Sequence, residues 1–76
     1  GAKEDLPKGI DPITLEQILD LLKREKGVTA VEAGEAIGAS RSTARRYLEY
    51  LTAEGTAEAL LKYGDVGRPE RRYIHS

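Results

Sequence analysis

Hydrophobic positions recur along this chain with two different periods, and the change falls at Gly55. Upstream of it, apolar residues return every three or four positions, the spacing of amphipathic helices; downstream they alternate, the spacing of strands. The first helix is predicted from Thr14, whose side chain and that of Gln17 form a capping box, with Ile13 and Ile18 placed as a hydrophobic staple. Leu15, Ile18, Leu19 and Leu22 then make one stripe, and Gly27 is a suitable stop. The second helix begins with another capping box, Thr29 with Glu32, and runs to Ile37 before Gly38. Its inward candidates are Ala33, Ala36 and Ile37. Gly34 in its middle should cost ~0.8–1 kcal/mol relative to Ala, which suggests either a helix crossing so tight that no Cβ fits or simply a weak spot in the helix.

The third helix follows almost at once, capped by Ser40 and running from Arg41 to Glu54. Ala44, Tyr47, Leu48 and Leu51 form its buried stripe, while Arg41, Ser42, Arg45, Arg46 and Glu49 occupy the opposite face. Tyr47 stands near the edge of the core, where its hydroxyl needs a partner. After Gly55, Ala57 to Tyr63 and Arg71 to His75 read as two antiparallel strands around a turn-rich loop at 64–70. Such a hairpin is not stable alone, so Ala57, Ala59, Leu61 and Tyr73 are expected to pack on the helices. Leu60 falls on the other face, available to a partner subunit or to another domain.

The predicted architecture is α+β and mostly α: three helices plus a small antiparallel β-hairpin wing, a winged helix-turn-helix. Residues 13–76 would form the domain. Residues 1–12, with charges, two prolines and no helical period, read as a linker, and Gly1-Ala2 has the form of a tag remnant.

Composition narrows the chemistry. In 76 residues there is no Cys and one His, at position 75, so thiolate sites, disulfides and a histidine metal cluster are all excluded. Runs of large apolar side chains never exceed two residues, which leaves no membrane span, and the expected setting is cytoplasmic. No catalytic constellation, metal or cofactor is expected, and the chain is not read as an enzyme. The net charge of −1 hides an asymmetry, because Arg41, Arg45, Arg46, Arg68, Arg71 and Arg72 all lie in the second half. Arginine suits bidentate contacts to phosphates and guanine edges.

These positions make double-stranded DNA the expected partner, with helix 40–54 in the major groove and wing loop 64–70 near the minor groove. The candidate DNA-binding residues are Arg41, Ser42, Thr43, Arg45, Arg46, Arg68 and Arg72. Arg68, between Gly67 and Pro69, suits a narrow minor groove of enhanced negative potential. Arg71 and Arg72 alternate faces if 71–75 is a strand, so only one faces the duplex easily. Ser40 is accounted for by capping. Winged helices also serve as protein-interaction modules, and a free-standing repressor is a further alternative.

The stretch Ala30–Glu49 resembles the general helix-turn-helix pattern, with Gly34 and Gly38 at its small and turn positions. A narrower resemblance covers residues 7–73. The segments Pro-Lys-Gly-Ile-Asp-Pro-Ile-Thr-Leu-Glu, Ser-Arg-Ser-Thr-Ala-Arg-Arg-Tyr-Leu-Glu-Tyr-Leu and Tyr-Gly-Asp-Val-Gly-Arg-Pro-Glu-Arg-Arg-Tyr together resemble the C-terminal output domain of bacterial response regulators of citrate, malate and dicarboxylate metabolism. That resemblance implies transcriptional regulation within a two-component system. It also implies an upstream receiver domain and a sensor kinase as partner. One domain with three to five basic contacts should itself bind DNA weakly and with strong salt dependence, so promoter selectivity would need a homodimer on paired half-sites.

Overall fold

The computed structural model describes residues 6–62 and 69–76. Three helices come first: α1 (Pro12–Arg24), α2 (Ala30–Ile37) and α3 (Arg41–Ala53). Strands β1 (Ala57–Lys62) and β2 (Glu70–His75) follow and pair antiparallel, with Ala59 opposite Tyr73 and Lys62 opposite Glu70.

Helix α1 starts earlier than Thr14. Asp11 is its N-cap and accepts hydrogen bonds from Thr14 N at 2.9 Å and from Thr14 Oγ1 at 3.2 Å. Two features favour this start. Pro12, just inside it, has no N–H to satisfy and a φ already set for a helix. The Asp11 N–H, in turn, donates to the Tyr47 hydroxyl at 2.8 Å, which ties the helix start to α3. The expected staple is absent as a result: Ile13 is 70% exposed. The expected linker also contributes to the core, since Ile10 is buried and Leu6 packs against the same cluster.

Helix α2 carries the expected Thr29–Glu32 capping box and ends at Gly38, which adopts a left-handed φ of 76°. Ala33 is buried, but Ala36 is exposed and Gly34 takes the inward place. The close approach inferred for Gly34 is to the turn that launches α3, not to another helix. A Cβ there would lie 2.7 Å from the Ala39 carbonyl oxygen and 3.1 Å from that of Ser40. Ala39 N donates to the Gly34 carbonyl at 2.8 Å across the same contact. Helix α3 begins where expected, with Ser40 Oγ accepting from Thr43 N at 3.1 Å.

Ile18, Leu22, Leu48 and Tyr73 are the largest fully buried side chains, joining α1, α3 and β2. Val28 forms a short bridge on the other side of β2: Val28 N donates to Tyr73 O at 3.0 Å, and Tyr73 N to Val28 O at 2.8 Å. Of the hairpin residues expected inside, Ala57 and Tyr73 are buried and Ala59 half-buried. Leu61, in contrast, is 55% exposed. Leu60 is exposed, as its place on the opposite face requires. Among the described residues, no helix is long and apolar enough to cross a membrane, and no group of His, Cys, Asp and Glu is arranged to hold a metal ion.

Candidate nucleic-acid interface

The exposed face of α3 is organised by its cap. Ser40 holds Thr43 through both its backbone N–H and a side-chain contact of 3.0 Å between the two hydroxyls, so Thr43 is half-buried and locally engaged. Ser42, Arg41, Arg45 and Arg46 are exposed. Arg41 and Arg45, one turn apart, line an open hollow of about 530 Å³. Its other walls are the first turn of α2 (Thr29, Val31, Glu32) and the start of β2 (Pro69, Glu70, Arg71, Tyr73).

Arg46 leaves α3 in another direction. A Cβ on Gly9 would lie 3.6 Å from both Arg46 Cδ and Nη1, so this side chain rests over the segment that precedes α1. Among the described residues, no carboxylate forms an ion pair with Arg41, Arg45 or Arg46. The i to i+4 pairing of Arg45 with Glu49, open to it on spacing alone, is replaced by a tertiary contact.

That contact involves Arg71. Its Nε lies 3.0 Å from Glu49 Oε2 and donates to the Tyr73 hydroxyl at 3.0 Å, and its guanidinium carbon stands 5.6 Å from the Tyr73 ring centroid. The Tyr73 hydroxyl also donates to Glu49. Burial is the main reason the Tyr73 hydroxyl has a pKa raised above 10.0; its bond to Glu49 adds to the rise, while Arg71 opposes it. The phenol therefore stays protonated at neutral pH and can donate to the Glu49 carboxylate. The network links α3 to β2 and holds Arg71 at the rim of the hollow.

Arg72 projects from the other face of β2. It pairs with Glu70 at 2.7 Å and Glu32 at 3.5 Å, and donates to the Gly27 carbonyl at 3.3 Å. Both neighbours are held in bonds within the domain, but Arg71 shares the hollow with Arg41 and Arg45, whereas Arg72 lies on the other face. The usable signal in the sequence was period-two alternation from Tyr73: a residue two positions from a buried strand tyrosine shares its helix-facing side. Arg68 and most of the wing loop lie outside the described residues.

Three helices, a short turn between the second and third, and a hairpin packed behind them define a winged helix-turn-helix domain. A solved structure of the binding mode of Cyprinid Herpesvirus3 ORF112-Zalpha to Z-DNA matches it with a TM-score of 0.68, covering 88% of this chain and 98% of that one at 24% identity. At that identity the likeness concerns the fold. The chain belongs to the DpiA-like helix-turn-helix domain family, whose model matches residues 13–76.

Among its curated relatives, the transcriptional regulatory protein CitT of Halalkalibacterium halodurans is 57% identical over 71 residues, covering 91% of this chain and 31% of that protein. CitT of Bacillus subtilis is 56% identical, covering 92% of this chain and 31% of that protein. The transcriptional regulatory protein DpiA of Escherichia coli K12 is 48% identical over 73 residues, covering 93% and 32%. The chain thus spans about a third of the length of these relatives.

Proposed function

We propose that this domain binds double-stranded DNA as the output domain of a bacterial transcriptional response regulator, with α3 in the major groove and the wing beside the adjacent minor groove. The observation that carries this reading is the convergence of Arg41, Arg45 and Arg71, from α3 and β2, on one open hollow. An α-helix fits the major groove, and a guanidinium can bond both acceptors of a guanine edge. Arg45 is assigned to base edges, and Arg41 to a base or phosphate at the helix N-terminus. Arg46 and Ser42, on the flank of α3, suit phosphates. Arg71 is preferred to Arg72 as the contact from β2 because it lines the hollow with Arg41 and Arg45; both are ion-paired within the domain, Arg71 to Glu49 and Arg72 to Glu70 and Glu32. Arg68 keeps its proposed minor-groove role. Thr43 acts mainly through the cap.

The relatives' names support regulation of transcription. A receiver domain elsewhere in the protein, a sensor kinase that phosphorylates it and a cytoplasmic setting belong to the same proposal. No cofactor, metal or catalytic step enters it.

The test is a fluorescence titration of a generic duplex between ~50 and ~200 mM salt, where the log–log slope should be about −0.9 per phosphate neutralised. Arg45→Ala with Arg46→Ala should weaken binding and flatten the slope by about one for each phosphate no longer neutralised. Arg71→Ala should weaken binding more than Arg72→Ala. A folded domain that binds no duplex at the lowest salt would refute the reading and favour a protein-interaction module.

A further inference from the structure

Among the described residues, strand β1 leaves one edge of the hairpin open. The sheet has two strands in the order β1–β2, and the far edge of β2 is occupied by Val28. The direction of the main-chain groups on β1 follows from this arrangement. Tyr73 exchanges both of its main-chain hydrogen bonds with Val28, so its N–H and C=O point away from β1. Its partner Ala59 therefore sits in a non-hydrogen-bonded pair, with its own N–H and C=O aimed at the open edge. By alternation Ala57 and Leu61 do the same. The bond from Ser76 N to Thr56 O at 2.9 Å agrees with this phase, since Thr56 then faces β2. Among the described residues, no main-chain group reaches Ala57, Ala59 or Leu61 from the open side.

An open edge is a template for another strand, and it is usually blunted by charge. This one carries two exposed leucines, Leu60 at 45% and Leu61 at 55%, and its two charges, Glu58 and Lys62, are of opposite sign and placed symmetrically about Leu60, so that a second copy can neutralise them. We propose that β1 pairs antiparallel with β1 of a second copy of this chain, centred on Leu60, to form a continuous four-stranded sheet.

In that register Ala59 lies opposite the partner's Leu61, and Leu61 opposite the partner's Ala59. Both are hydrogen-bonded pairs built from the outward-facing groups, each exchanging both N–H···O bonds. Leu60 meets the partner's Leu60 in the non-hydrogen-bonded pair between them, where side chains come closest. Glu58 stands opposite the partner's Lys62, and Lys62 opposite the partner's Glu58. A shift of two residues in either direction sets Leu60 against the partner's Glu58 or the partner's Lys62 and removes both charge matches. The two-fold axis of antiparallel pairing is perpendicular to the sheet, so both α3 helices stand on the same face. That arrangement suits two half-sites in opposite orientation, although the association itself does not depend on DNA.

Sedimentation equilibrium of the 76-residue chain, without DNA and across the micromolar to millimolar range, tests the proposal. The chain should show a reversible monomer–dimer equilibrium. Glu58→Lys and Lys62→Glu each replace attraction by repulsion in both charge pairs, so each alone should weaken self-association by about tenfold or more. An equimolar mixture of the two should restore it, because each substituted position then faces the other across the interface with opposite charge, while the unchanged Lys62 of one chain meets the unchanged Glu58 of its partner. Lys62 also faces Glu70 within the hairpin, so thermal melts accompany each variant. Leu60→Asn, which changes no charge, should weaken association independently. A chain that stays monomeric to millimolar concentration, or a mixture no more associated than its components, would overturn the proposal. DNA titration of the same variants below the dimerisation range keeps failure here separate from failure of the DNA-binding reading.

Discussion

Replacing Gly34 by Ala sets two effects against each other, and the structure decides between them. Ala is better than Gly in a helix interior by ~0.8–1 kcal/mol, so on propensity alone the change stabilises α2. The new methyl, however, would lie 2.7 Å from the Ala39 carbonyl oxygen, 3.1 Å from the Ser40 carbonyl oxygen and 3.2 Å from the Ser40 carbonyl carbon. All three are backbone atoms, so no side chain can swing aside. The turn must retreat, stretching the 2.8 Å bond from Ala39 N to the Gly34 carbonyl and moving the Ser40 cap. Overpacking of this kind costs about 1–3 kcal/mol. After the propensity gain is subtracted, a net loss of roughly 1–2 kcal/mol remains at the upper part of that range. For a domain of this size that loss corresponds to a fall of roughly 4–16 °C in Tm.

Urea and thermal unfolding followed by circular dichroism would measure the loss. Ala36→Gly, at an exposed position of the same helix, supplies the propensity effect alone and should cost about 1 kcal/mol. DNA affinity of Gly34→Ala should also fall, since the displaced turn launches the recognition helix. A Gly34→Ala variant as stable as the parent, or more so, would refute the reasoning, because it would show that the turn yields without cost.

Two further outcomes follow from particular contacts. The Tyr73 pKa is raised in the folded state above 10.0, so the folded domain holds the phenolic proton more tightly than the unfolded chain. Its contribution to stability is full below about pH 10 and is lost as pH rises through the folded value, so denaturant midpoints should decline more steeply there for the parent than for Tyr73→Phe; equal slopes would exclude Tyr73 as the source. At the start of α1, Asp11→Ala should cost about 0.5–2 kcal/mol by urea unfolding, as removal of an N-cap does, and Thr14→Ala distinctly less, because Thr14 lies inside the helix; the reverse order would restore Thr14 as the cap.

Much of the architecture was legible along the chain because its signals are local. The Thr29–Glu32 box, the Ser40 cap and Gly38 each act within a few residues, and each stands where the pattern placed it. The change of period after Gly55 likewise marked the hairpin. Thr14 misled because two capping residues lie three positions apart, and the choice between them is not local. Asp11 is selected by Pro12 beside it and by the Tyr47 hydroxyl, 36 residues away, that receives its N–H. The same bond supplies the partner that the Tyr47 hydroxyl needed.

For the candidate site, the sequence by itself determined that arginines would cluster on the exposed face of α3, since a stripe of Ala44, Tyr47, Leu48 and Leu51 leaves Arg41, Arg45 and Arg46 outside. It also determined that Arg71 and Arg72 would part company across β2. Only the tertiary structure decided which of them joins the hollow. That choice rests on Tyr73, whose ring is buried between helices and whose hydroxyl meets Glu49, so the side of β2 bearing Arg71 turns toward α3. It also sent Arg46 back over Gly9 while Arg45 stayed at the hollow. The physical reason is the reach of each interaction: capping and periodicity operate within one or two turns, whereas the direction of a long arginine is set by carboxylates, hydroxyls and backbone brought near it from distant parts of the chain.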